Sequence, residues 1–257
     1  MQRLDQLLVS KGLVDSRTQS QKMIAAGQVE VRIGSDWKVL TKASTKIDVD
    51  SELRVTQGEE QKYVSRAGLK LEGALAHISN HFSSPDFTEI TALDIGQSTG
   101  GFTDCLVQHK VDKVVGIDVG HGQLSSKLKK HDNIVSLEGI NARHLPVEKL
   151  LTETPDSLGF PLVVMDVSFI SQALILPELV KVLATPGLVI SLVKPQFEVG
   201  PDGLGKGGIV KDAKLYGVVK DKLLGMAENL GLNCMDYIES PIKGGDGNRE
   251  FFMILGR

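Results

Sequence analysis

The sequence predicts an α/β protein in which an open, mainly parallel sheet is covered by helices on both faces and preceded by a small α/β module. Three observations predict it. From residue 90 onward, short apolar runs alternate with amphipathic stretches, the pattern of parallel strands joined by right-handed crossovers. The first of those runs opens "LDIGQSTGGFTDCLV" at 93–107, a strand tip, a glycine-rich turn and the start of a helix. The stretch "TQGEEQK" at 56–62 contains no apolar residue and reads as a connector. These features divide the chain into a module at 1–58, a linker at 59–64 and a large domain at 65–257.

In the module, Leu4, Leu7 and Leu8 form a helical stripe that Gly12 stops. Ser16 is placed to cap a second helix, "RTQSQKMIAAG", with Met23 and Ile24 inward and Gly27 at its end. The β-like runs "VEVRI", "WKVL" and "SELRV" follow.

In the large domain, Ser65 is expected to cap a helix carrying the stripe Leu71, Leu75, Ile78 and Phe82. Lys70 lies one position off that stripe, toward a neighbouring cleft. The strand runs are "ITALDI", "KVVGIDV", "NIVSLEG", "PLVVMDVSF" and "GLVISLVK". Helices are expected between them, near 101–109, 122–130, 146–152 and 171–184. A helix near 212–230 precedes "NCMDYIES" and "REFFMILG", which read as a terminal pair at the sheet edge. The expectation is a seven-stranded, mainly parallel sheet with an antiparallel edge strand. The segment "FEVGPDGLGKGGIVKD" at 197–212 is long for a connection and suggests a lid or a mobile segment.

Composition excludes several classes. With 41% apolar and 24% charged residues, the balance is that of a soluble globular protein. No apolar run approaches the roughly 20 residues of a membrane span, and the first residues lack a signal-peptide pattern. Cys105 and Cys234 are too few for a disulfide framework. They read as reduced core thiols of a cytoplasmic protein. His77 and His81 have i, i+4 spacing without a third ligand in sequence, so no metal site is expected. Net charge is −3, with +2 on residues 1–58 and −5 on the rest. Nucleic-acid contact would therefore come from local patches.

The turn reads Asp94-x-Gly96-x-x-x-Gly100-Gly101, followed by Phe102. Ser98 occupies the second glycine position of a dinucleotide fingerprint, and no P-loop spacing is present. A carboxylate at the strand tip repels a pyrophosphate and attracts a cation. Asp118, at the next strand tip, is placed to accept from ribose hydroxyls. Two acids around a glycine turn point to S-adenosylmethionine, the alternative being that both acids cap helices. At the fourth strand tip, "DVSF" lacks the paired prolines of base-amine methyltransferases, and neither cysteine stands as a nucleophile beside a proline. Lys194, in "LVKPQFEVG", faces the same sheet edge as Asp166. A lysine and a carboxylate at adjacent tips suit the ionisation of a ribose 2′-hydroxyl.

The blocks "YVSRAGLKLEGAL", "LDIGQSTGGFTDCLV", "GIDVGHGQL", "DVSFIS", "VKPQFEVG" and "GNREFF" together resemble the FtsJ-like ribose 2′-O-methyltransferases, specifically the TlyA group often labelled hemolysin. The resemblance implies a Rossmann-like methyltransferase fold with S-adenosylmethionine as cofactor. It implies a catalytic set of Lys70, Asp166, Lys194 and Glu250, with Lys194 nearest the target hydroxyl, and Asn141 against the adenine or ribose. Residues 1–58 resemble the S-four-type RNA-binding domain, with "VRIG" where V-N-G is usual. Arg3, Lys11, Arg17 and Lys22 are the candidate phosphate contacts, and Phe197 a candidate base-stacking residue. The implied partner is ribosomal RNA or a ribosomal subunit, with no membrane and no obligate protein partner. Two other readings stay open: an RNA-binding assembly factor with a vestigial methyltransferase domain, and a membrane-lysing protein.

Overall fold

The structure is a computed structural model that describes residues 1–14, 16–55, 62–82 and 86–257. The chain forms two compact units, Met1–Lys62 and Tyr63–Arg257. Residues 59–61 of the expected linker lie outside the described residues.

The first unit runs β1 (Gln2–Arg3), α1 (Leu4–Ser10), α2 (Arg17–Ala25), β2 (Val29–Ile33), β3 (Asp36–Val39), β4 (Lys46–Ile47) and β5 (Leu53–Val55). Strands β3, β2 and β5 form an antiparallel sheet, and β1 pairs with β4. The apolar stripes of both helices close the core, which includes Leu4, Leu8, Met23, Ile24 and Val29. Ser16 caps α2 as expected, accepting from the Gln19 amide at 3.2 Å. The buried Asp5 had no role in the sequence reading. Arg3, Arg17 and Gln21 all donate to its carboxylate. The Arg3 hydrogen bond foremost holds that carboxyl well below the usual range.

The second unit begins with α3 (Ala67–His81), whose residues Leu71, Leu75 and Ile78 are buried. Ser65 does not cap it. Arg66 is the N-cap residue and makes no side-chain cap bond. The Ser65 hydroxyl instead packs on Gly101, where an added Cβ would lie 2.2 Å from it.

The sheet elements follow in the order β6 (Thr91–Ile95), α4 (Gly101–Gln108), β7 (Lys113–Asp118), β8 (Ile134–Glu138), α5 (Val147–Leu151), β9 (Phe160–Met165), α6 (Leu176–Leu179), β10 (Leu183–Val193), α7 (Lys214–Asn229), β11 (Asn233–Glu239) and β12 (Phe251–Gly256). Their order across the sheet is β11-β12-β10-β9-β6-β7-β8. The antiparallel strand is β12, and it lies one place in from the edge, between β10 and β11. Burial explains the placement. Phe251 to Leu255 are all buried, as an interior strand requires, whereas β11 is half exposed and carries charge, as an edge does. Cys234 accordingly sits exposed on β11, not in the core, while Cys105 is buried.

One expected helix is absent and another is cut short. Residues 122–130 hold only a 3-10 turn, Leu128–Lys130. The segment is fixed by other bonds, Gly122 N to Glu138 and Ser125 N to Thr99 O, and its Leu124 and Leu128 pack on Gly100. Residues 171–184 form a 3-10 turn, Gln172–Leu174, and the short α6, after which Leu183 already pairs with Phe160. The segment 197–212 is folded on itself. It contains 3-10 turns at Pro201–Gly203 and Lys206–Gly208 and a bridge from Leu204 to Val210. The buried Asn248 ties it down, accepting from the Val210 amide and donating to the Gly208 carbonyl.

Strand order reverses between β6 and β9, which makes their carboxyl ends the switch point where ligands bind in such sheets. There the backbones nearly touch. Gly96 has φ +88°, and a Cβ on it would lie 2.3 Å from the Asp166 carbonyl oxygen. Gly96→Ala is expected to destabilise the second unit by about 1–3 kcal/mol or more. A lowered urea midpoint checks this, and an unchanged midpoint would contradict the close approach.

Candidate active site

The glycine turn hangs from β7. The Gly96 and Gln97 amides both donate to the Ile117 carbonyl, at 2.9 and 3.0 Å. A groove of about 640 Å³ runs past the turn, and Gly96, Ser98, Asp118, Asn141 and Asp166 are among its walls. Both Asp118 oxygens accept from backbone, Oδ2 from Ser98 N and Oδ1 from Gly120 N, each at 2.7 Å. Asn141 is held by accepting from the Arg143 amide at 3.0 Å.

Asp94 is not on the groove wall. It is fully buried beneath the turn, where the Thr103 hydroxyl donates to it at 2.6 Å and its second oxygen has no partner. Gln97 and Ser136 extend the chain, Gln97 Nε2 donating to Thr103 and Ser136 Oγ to Gln97 Oε1. Burial pushes the Asp94 carboxyl up to about 7; the Thr103 bond opposes this, and the charges of Asp166 and Asp118 add to it. Gly100 and Gly101 start α4, and Gly101 borders a smaller pocket. Phe102 also borders that pocket, but its ring is buried and stacks on Phe252 with centroids 6.3 Å apart.

The smaller pocket has a volume of about 190 Å³ and shares Gly96, Ser98, Asp166 and Ser168 with the groove. Lys194 stands on its wall. The Lys194 ammonium lies 2.6 Å from Asp166 Oδ1 and donates to Ser168 Oγ at 2.9 Å. Lys70 and Glu250 form a second, more buried pair at 2.6 Å. The four expected catalytic residues are thus two ion pairs, of which only Lys194–Asp166 lines the pocket.

Of the rim, sequence reasoning named Phe197 but missed Phe169 and Glu198. Phe169 has φ +63° and is 88% exposed, an uncommon backbone state for an aromatic residue. Its ring lies 5.0 Å from that of Phe197. Glu198, its side chain buried, joins the two loops that carry them. It accepts from Ser171 Oγ at 2.6 Å, Gln172 N at 2.7 Å and Lys222 Nζ at 3.1 Å. Phe169 and Glu198 both fall within quoted motifs, but no periodicity separates a rim residue from a core one.

In the first unit, Arg3 and Arg17 are committed to Asp5, although each is about half exposed. Lys11 and Lys22 are exposed and have no ion pair among the described residues. His77 pairs with Asp236 at 2.7 Å and stacks on His81. No group of three metal-ligating side chains is present among the described residues, and no helix among them is long and apolar enough to cross a membrane.

A seven-stranded sheet with its acid-walled groove and lysine pocket at the switch point defines a Rossmann-like methyltransferase. Residues 63–257 match the FtsJ-like methyltransferase family, and residues 2–53 match the S4 domain. The chain belongs to the FtsJ-like methyltransferase family. It is 37% identical to the 16S/23S rRNA (cytidine-2′-O)-methyltransferase TlyA of Mycobacterium tuberculosis, over 98% of this chain and 89% of that one. It is 39% identical to Hemolysin A of Brachyspira hyodysenteriae, over 97% of each chain. A solved structure from Streptococcus thermophilus, provisionally described as a hemolysin, aligns with TM-score 0.73 and 38% identity, covering 100% of this chain and 88% of that one.

The raised Asp94 pKa fixes a pH dependence. The folded state keeps this proton up to about pH 7, whereas the ordinary value is 3.8. Its stabilising contribution is full below the ordinary value and is lost as pH rises toward 7. At ~1.4 kcal/mol per unit, the loss is on the order of a few kcal/mol. Urea midpoints at about pH 5 and about pH 8 should therefore fall less in Asp94→Asn than in the parent. Equal falls would contradict the assignment.

Proposed function

We propose that this protein transfers a methyl group from S-adenosylmethionine to a ribose 2′-hydroxyl of ribosomal RNA in the cytoplasm. The observation that carries the reading is the Lys194 pocket opening off the groove at Gly96 and Asp166. The match to the S4 domain and the printed activity of the Mycobacterium relative support RNA as the substrate.

The groove residues fit the donor. The groove volume lies within the usual range for small-molecule sites. Asp118, on its wall, has lone pairs free beyond its two backbone bonds, enough to accept from ribose hydroxyls. Asn141 lines the same groove and would lie against the nucleoside, and the wall acids Asp118 and Asp166 disfavour a pyrophosphate. Once bound, the donor supplies a methyl group already activated on a sulfonium.

The remaining task is alignment of the acceptor. Lys194, held by Asp166 and Ser168, donates to the 2′-oxygen and stabilises the negative charge that develops as the hydroxyl proton passes to solvent, while the methyl–sulfur bond breaks and the methyl–oxygen bond forms. The buried Lys70–Glu250 pair would act as a positioning element, the role the family resemblance implies for it. Holding both reactants in attack geometry contributes roughly 7–11 kcal/mol. The open face of Phe169, with Phe197 behind it, offers a stacking surface for the target base. Lys11 and Lys22 are the preferred phosphate contacts of the S4 domain. Arg3 and Arg17 can add contacts through the nitrogens that Asp5 leaves unused.

Lys194→Ala should reduce methyl transfer to ribosomal RNA about 10²–10³-fold while calorimetric donor binding is unchanged. Retained transfer would remove Lys194 from the mechanism, and no transfer by the parent would leave an RNA-binding factor. The double variant Lys11→Glu, Lys22→Glu should weaken RNA binding in a filter assay and reduce its salt dependence, with donor affinity unaltered. Equal RNA affinity and salt slope would refute those contacts.

A further inference from the structure

Beyond the Phe169 rim a third cavity of about 600 Å³ opens, sharing Arg143, Phe169 and Ile170 with the donor groove. Gln196, Phe197 and Asp246 also line it. The Gln196 side-chain oxygen is buried and has no hydrogen-bond partner. Native structures leave few such atoms unpaired, so each calls for an explanation. Gln196 itself lines the cavity, and its amide, turned toward a base bound there, would gain the missing donor.

Position supports the same idea. Gln196 lies two residues beyond Lys194, on the 3-10 turn Pro195–Phe197. Two residues of chain reach at most about 7 Å, a span comparable to that from a ribose 2′-hydroxyl to the edge of its own base. A nucleotide whose sugar faces Lys194 and whose base lies on Phe169 would bring that edge toward Gln196.

We propose that Gln196 is a specificity-determining residue that reads the Watson–Crick edge of the target base, its Oε1 accepting from an exocyclic amine and its Nε2 donating to the adjacent ring nitrogen. This rests on the methyl-transfer reading given above. Cytosine and adenine present that donor–acceptor pair, whereas uracil presents the reverse. An amide alone could rotate to suit either. Asp246 breaks the tie, because a carboxylate on the same wall accepts from an amine and repels a carbonyl.

The test uses the full chain and ribosomal RNA from cells lacking the protein, with 2′-O-methyl label assigned to each base after digestion. Gln196→Leu removes both amide groups at similar volume, and Gln196→Glu keeps an acceptor. In Gln196→Leu, label at the parent's target base should fall about tenfold and the share on uridine should rise. Gln196→Glu should retain the amine-base preference. Donor affinity and the thermal midpoint should be unchanged in both. An unaltered rate and base distribution in Gln196→Leu would overturn the proposal, as would a loss of donor binding, which marks a structural role. Should the parent methylate no RNA, the underlying reading falls and this one with it; a methylating parent with an indifferent variant sinks only the role of Gln196.

Discussion

The site depends on how closely two strand ends approach. At the tips of β6 and β9 the Asp166 amide donates to the Ile95 carbonyl at 3.0 Å, and no side chain fits between Gly96 and the Asp166 carbonyl. From this point the two chains diverge, one into the glycine turn and the other into "DVSF". The gap they leave is divided into a groove and a pocket with a common wall. A donor in one and an acceptor in the other would meet at that wall without any large motion. Gly96 is the element that permits it, since any Cβ would push the tips apart.

Three carboxylates converge here, and their surroundings give them different characters. Asp94 is buried with one hydroxyl donor and titrates near neutrality. Asp118 accepts one backbone amide on each oxygen at the groove wall. Asp166 is paired with Lys194. Desolvation, backbone donors and a counter-charge thus separate one residue type into a buried structural acid, a polar recognition group and an anchor for a cation. The N-terminal unit repeats the principle with opposite sign, because arginines hold Asp5 ionised where burial alone would neutralise it.

The strands and the Lys194–Asp166 pair were legible in the sequence. Continuous apolar runs ending in "LDIG", "GIDVG", "VVMDV" and "LVKP" announce parallel strands and place their last polar residue at one sheet edge. What lies between the strands was less legible. Leu124 and Leu128 have helical spacing, yet they pack on Gly100 from a chain held by a backbone bond to the glycine turn. The bonds of Glu198 span 24 to 27 residues, and the side-chain bonds of Asn248 reach back 38 and 40. No local pattern encodes such partners. Asp94 shows a similar limit. Its place at a strand tip was readable, but whether it faced the groove or the core depended on Thr103 one turn into α4.

The central claim is that the acceptor is a ribose oxygen placed by the lysine pocket. Alkaline hydrolysis of RNA labelled by the protein with tritiated methyl donor tests it most directly, because 2′-O-methylation blocks cleavage at the modified nucleotide. The account predicts that the label is recovered in alkali-stable dinucleotides. Label recovered in mononucleotides, with the methyl group on a base, would contradict it.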